Sequence, residues 1–137
     1  MVVEGLTMPP LLDDLLSTGR WPRNVQELGG KYVSVDCRRK LRQIQLNPPP
    51  FRTLARFAAA GWDDFYGQFG AIHELVPECS VCIADFGLGA DSPILLDFQI
   101  DRANPRVIYL HWPGKGEPNC WVELAPDFDG FVGMLGL

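Results

Sequence analysis

Two cysteines separated by two residues, Cys79 and Cys82, are the first side chains whose spacing could do chemistry. With His73 and Cys120 they would supply the four sulfur and imidazole donors of a tetrahedral zinc site. A structural site of that kind normally brings a second closely spaced ligand pair, and the chain has none. Cys82 also falls at an inward position of an apolar strand, where cysteine serves as a small hydrophobe. The expectation is a chain with no metal site and no cofactor.

The other chemical spellings dissolve in the same way. Asp85-Phe86-Gly87 matches the metal-binding triplet of protein kinases, but no glycine-rich loop with its lysine and no His-Arg-Asp segment accompanies it. Gly87-Leu88-Gly89 lacks the third glycine of a dinucleotide fingerprint and leads to a strand opened by Pro93 where a helix is required. The same glycines with Asp91 echo one calcium-binding β-roll unit, which needs tandem copies. Tight-turn chemistry accounts for them better. His73 and His111 sit in no nucleophile motif. Asp85, Asp91, Asp97 and Asp101 offer carboxylates for acid–base work if any two converge, and otherwise form an acidic rim facing a partner. The basic run from Cys37 through Arg38, Arg39 and Lys40 to Arg42 is short and reads as a solvated face.

The elements that must position these groups follow from apolar spacing. Pro10 to Thr18 predicts a helix with Leu11, Leu12, Leu15 and Leu16 on one face and Asp13 and Asp14 near its positive end. Val33, Val35 and Cys37 alternate as in a strand, whereas Leu41, Ile44 and Leu46 fit neither period before Pro48, Pro49 and Pro50. Phe51, Leu54, Ala55 and Ala58 return to helical spacing up to Gly61, and residues 62 to 76 read as a short helix or an ordered loop. Strands follow around Val81 to Ala84, from Pro93 with Ile94, Leu96, Phe98 and Ile100 on one side, over Val107 to Trp112, and over Cys120 to Leu124. Phe128, Phe131, Val132 and Leu135 predict a closing helix with Pro126 at its first position.

At 137 residues the chain has the length of one domain with one core. Its charge is divided unevenly. Residues 1 to 60 hold nine Lys/Arg against five Asp/Glu, a net of +4, and residues 61 to 137 hold three against twelve, a net of −9. So acidic a part repels nucleic-acid backbones and favours a basic protein partner. No apolar run approaches the roughly 20 residues of a membrane span, and the first residues carry acidic groups where a signal peptide has basic ones. Four unevenly spaced cysteines do not suggest a disulfide framework. A cytoplasmic protein with no membrane partner is the expectation.

Residues 83 to 137 resemble the SUKH superfamily, which includes fungal cell-wall assembly regulators and many bacterial immunity proteins. The resemblance runs through ADFGLGADSPILLDF, where a glycine-bearing turn at Gly87 and Gly89 leads to a strand ending in Asp97. It continues through the valine-led strand from Val107 to Trp112 and a closing segment in which Ala125, Phe128 and Phe131 match, with Asp127 where the family carries a small hydroxyl residue. The resemblance implies one α+β domain over residues 1 to 137, mainly an antiparallel sheet packed by helices at the N-terminal and C-terminal ends. It also implies a domain that works by binding and has no catalytic residues. The bacterial members neutralise polymorphic toxins, often nucleases or deaminases.

Together these readings predict a bacterial immunity protein that binds a basic toxin through Asp91, Asp97 and Asp101, with Trp112 as an aromatic anchor. A regulatory or scaffold module of the same fold, binding an endogenous protein or a cell-wall component through the basic N-terminal part, is the alternative. An enzyme built on the aspartates is a third.

Overall fold

In the computed structural model, which describes residues 1–30, 32–37, 40–86 and 92–137, the chain opens with a small hairpin. Strands β1 (Val2–Val3) and β2 (Leu6–Thr7) pair across Glu4 and Gly5, both at positive φ, the backbone that tight two-residue hairpins demand. Helix α1 (Pro10–Ser17) follows, with proline in its first turn and Leu12 and Leu15 completely buried. It stops where the Thr18 N–H and hydroxyl both turn back to the Asp14 carbonyl, and Gly19 takes φ +74°. Trp21 then drops into the core and donates its indole N–H to the Asn47 carbonyl at 2.7 Å.

Every strand pairing in the main sheet is antiparallel. Strands β3 (Tyr32–Cys37), β4 (Lys40–Leu46), β6 (Ser80–Phe86), β7 (Pro93–Asp97), β8 (Arg106–His111) and β9 (Cys120–Ala125) lie side by side in that order. The short β5 (Arg52–Thr53) pairs with β6 beyond the end of β4. The ambiguous stretch at Leu41, Ile44 and Leu46 is therefore strand, with Ile44 and Leu46 buried. A register shift between Cys82 and Ala84 marks a bulge in β6.

The predicted end helices pack on one face. There α1, Trp21 and the closing helix α4 (Phe128–Leu135) cover Ile83, Ile94, Leu96, Val107 and Tyr109. The other face carries Cys82, Leu95 and Ile108, and the middle of the chain closes it with Leu54, Tyr66 and Leu75. Burial on both faces is why β6 to β8 read as nearly continuous apolar runs. The α+β class holds, with a helical layer on each side of the sheet.

Four expectations need correction. The helix predicted from Phe51 to Gly61 is regular only in α2 (Leu54–Phe57), because a wider turn over Ala58–Trp62 with Gly61 at φ +108° re-aims the chain into α3 (Asp63–Gln68). The strand expected to carry Ile100 inward ends at Asp97, and Ile100 is 77% exposed. Pro126 precedes the closing helix; Asp127 is its cap, accepting the Gly130 N–H at 2.7 Å. Asp97, expected on an acidic rim, is 1% exposed. No helix among the described residues is long and apolar enough to cross a membrane.

Candidate functional site

The four residues predicted to touch a partner are not one surface. Asp97 stands opposite Arg106 in the β7–β8 ladder and accepts its Nε–H at 2.9 Å, while its other oxygen takes the Gln99 N–H. It is spent on the fold. Asp101 lies nearby and folds its own loop by accepting the Ala103 and Asn104 N–H groups. Asp97 and Asp101 share the wall of a shallow cavity with Arg106 and Glu123. Asp91, like Gly87 and Gly89 of the predicted turn and Arg38 and Arg39 of the basic run, lies outside the described residues.

Trp112 is 41% exposed and stacks on Phe69, centroids 5.7 Å apart at 29°. Phe69 meets Phe65 at 5.7 Å, and Phe65 meets Trp62 at 6.4 Å. A row of four aromatic rings therefore crosses the surface from the start of α3 to the end of β8. Trp62 and Phe69 are 53% and 41% exposed, unusual for rings of this size in such a continuous row. The row is held from behind. Trp121 of β9 donates its backbone N–H to Glu74 and its indole N–H to the Ala71 carbonyl, and Asn119 donates to the Phe69 carbonyl.

The spacing of 62, 65 and 69 is i, i+3, i+7, one face of a helix, and was the available sequence signal. Gly67 and Gly70 hid it. Gly70 breaks the helical pattern for a packing reason, since a Cβ there would lie 2.6 Å from the Tyr66 ring.

Under Trp62 the row opens into a cavity of about 190 Å³ between α2, α3 and the sheet. Tyr66, Cys82 and Asp85 meet there. Burial pushes the Cys82 thiol up to about 12; the Tyr66 hydroxyl donating to its sulfur works against this, and the negative Asp85 adds to it. Burial likewise raises the Tyr66 phenol, helped by Cys82 and Asp85. Both the thiol and the phenol stay neutral at physiological pH.

Cys79 packs against the α1/α4 side of the sheet and Cys82 against the opposite one, so the C-x-x-C pair does not converge. Among the described residues no three His, Cys, Asp or Glu side chains gather as a metal-ligand set. No family model, curated protein or solved structure matches the chain.

Proposed function

We propose that this chain is a non-catalytic protein-binding domain, a cytoplasmic bacterial immunity protein of SUKH type that blocks a basic toxin of nuclease or deaminase class. The observation that carries the reading is the row Trp62, Phe65, Phe69 and Trp112, in which Phe65 is partly buried and the other three rings are exposed, set on the part of the chain with a net charge of −9. Aromatic side chains held rigidly in place are the residues that dominate binding energy at protein interfaces. An acidic surround speeds encounter with a basic partner and repels wrong ones. Two of the aspartates that an enzyme would need are engaged in structure: Asp97 with Arg106 and Asp101 with its own loop.

The described residues that carry the SUKH resemblance lie along β6 to β9 and helix α4, and one of them, Trp112 just past the end of β8, belongs to the row. The alternative, a regulatory or scaffold module working through the basic N-terminal part, has less support. Its Arg56 is already 3.6 Å from the Glu4 carboxylate.

Co-expression with the toxin encoded beside the gene is the test. Restored growth together with a co-purifying complex is expected. Unrelieved toxicity with no complex would sink the immunity reading.

A further inference from the structure

Strand β9 is an edge of the main sheet, paired with β8 alone. Backbone groups along an antiparallel edge strand alternate between the neighbouring strand and the open side. Trp121 fixes the phase, because its N–H turns away from β8 and donates to the Glu74 carboxylate at 3.0 Å. Two residues on, opposite Ile108 in the ladder, the Glu123 N–H and C=O face the same open side. Among the described residues nothing takes those two groups or the Trp121 C=O, and the Glu123 side chain is exposed. A register shift between Val107 and Ile108 then sets Leu124 as a bulge and ends the regular edge. What stays open is a short run of backbone groups beside a carboxylate, bounded by Glu74 at one end and the bulge at the other.

We propose that this edge accepts a short basic strand of the partner protein, antiparallel to β9 and with a lysine or arginine directly opposite Glu123. Glu123 exchanges both backbone hydrogen bonds with that residue, and the Trp121 C=O takes the partner N–H two residues on. Charge selects the occupant. Glu123 and Asp101 line one shallow cavity, Glu74 closes the far end of the run, and Asp97 is already paired with Arg106, so the charges left along the edge are negative. Opposite charges directly across a strand pair stabilise it, and like charges oppose it. A second copy fits badly: pairing Glu123 with its counterpart sets two carboxylates face to face, and pairing it with Trp121 meets an N–H already bonded to Glu74. The edge is continuous with the aromatic row, since Asn119, just before β9, donates to the Phe69 carbonyl. The inference rests on the protein-binding reading and adds a backbone contact beside the row.

A synthetic peptide tests it without the natural partner. An end-blocked octapeptide of alternating lysine and valine is titrated into the full ¹⁵N-labelled chain. Its counterpart of alternating glutamate and valine, and the lysine peptide methylated on its lysine backbone nitrogens, run in parallel. Saturable shifts of the Val122 and Leu124 amide resonances are expected with millimolar affinity, about tenfold weaker for the methylated peptide, which keeps the charge and loses the donors. Glu123→Pro removes the outward N–H and spares the β8 ladder, the one place a strand tolerates proline, and should weaken the lysine peptide by about fivefold or more. Glu123→Lys, at an exposed position, should exchange the preference from the lysine to the glutamate peptide and carries the test even if Glu123→Pro fails to fold. Equal affinity for the methylated peptide, an unchanged preference in Glu123→Lys, or no saturable shift up to about 20 mM would overturn the proposal. A dimer in sedimentation that Glu123→Pro dissolves would put a second copy on the edge and overturn the choice of occupant. If the peptide fails while a toxin complex forms, the edge assignment alone falls; if the peptide binds and no toxin is neutralised, the immunity reading falls instead.

Discussion

Arg106 Nε lies 2.9 Å from Asp97 Oδ2, across the β7–β8 ladder, with the Asp97 side chain 1% exposed and that of Arg106 35% exposed. The asymmetry decides what each substitution does. Asp97→Asn keeps an acceptor for the Gln99 N–H and leaves Arg106 able to turn to water, so a loss of about 1–2 kcal/mol is expected. Arg106→Met strands a buried carboxylate and is expected to cost about 3 kcal/mol or more. Urea unfolding with unchanged m-values measures both. A costlier Asp97→Asn would contradict the pairing.

Glu4 ties the first hairpin to β5. Its carboxylate accepts the Thr53 N–H at 2.7 Å and lies 3.6 Å from Arg56. Partial burial works to raise its pKa, but the Thr53 hydrogen bonds and the positive Arg56 and Arg52 together outweigh it, and the carboxyl sits below its ordinary 4.5. The unfolded chain therefore binds the proton first as pH falls. The stabilisation is whole above about pH 4.5 and is lost as pH drops through the lower folded value. Glu4→Gln should lower the melting temperature at neutral pH, with the gap to the unmodified chain closing in acid. A gap that widens in acid would refute the sign.

Asp127 explains its own departure from the SUKH pattern. Its carboxylate accepts the Gly130 N–H from the N-cap position of α4, which a small hydroxyl residue would also do. Asp127→Ser should be nearly neutral and Asp127→Ala should cost about 1 kcal/mol. Thermal melts of the two variants side by side decide it; equal losses would remove the capping explanation.

Cys82 should be chemically silent in the folded chain. With the residue 7% exposed and the thiol pKa pushed up to about 12, thiolate is scarce at about pH 8. Iodoacetamide followed by mass spectrometry should modify the partly exposed Cys79 and Cys120 first and Cys82 only as the chain unfolds. Above about pH 9.0, the ordinary value, the unfolded thiol loses its proton while the folded one keeps it, so stability should fall with rising pH. Cys82→Ala should flatten that fall. Rapid labelling of Cys82 would show the site to be open.

Where the sequence was legible, one period ruled a whole element. Leu12 and Leu15, and Phe128 with Phe131, mark α1 and α4 because each helix packs one face on the same core, while Ile94 and Leu96 mark the side of β7 that meets that core. Residues 54 to 75 are less legible, since Gly61, Gly67 and Gly70 interrupt them. Gly61 turns the chain at positive φ and Gly70 makes room for the Tyr66 ring, so composition that reads as a loop builds the second layer. The site suffered most. The aromatic row depends on that layer, and nothing local to Asp97 indicates that Arg106 will neutralise it from the next strand. Trp112 alone of the row stands out in the sequence, and its stacking partner Phe69 lies in the glycine-interrupted stretch from 62 to 76.

The most direct measurement of the protein-binding claim is an isothermal titration of the purified toxin domain into the unmodified chain and into the Trp62→Ala/Trp112→Ala variant. Both residues are largely exposed, so the variant should fold and melt close to the unmodified chain. Each interface tryptophan is expected to contribute about 2 kcal/mol or more, so the variant's affinity should fall about a thousandfold. A complex of undiminished affinity in the variant, or no complex with the unmodified chain, would contradict the assignment of this face.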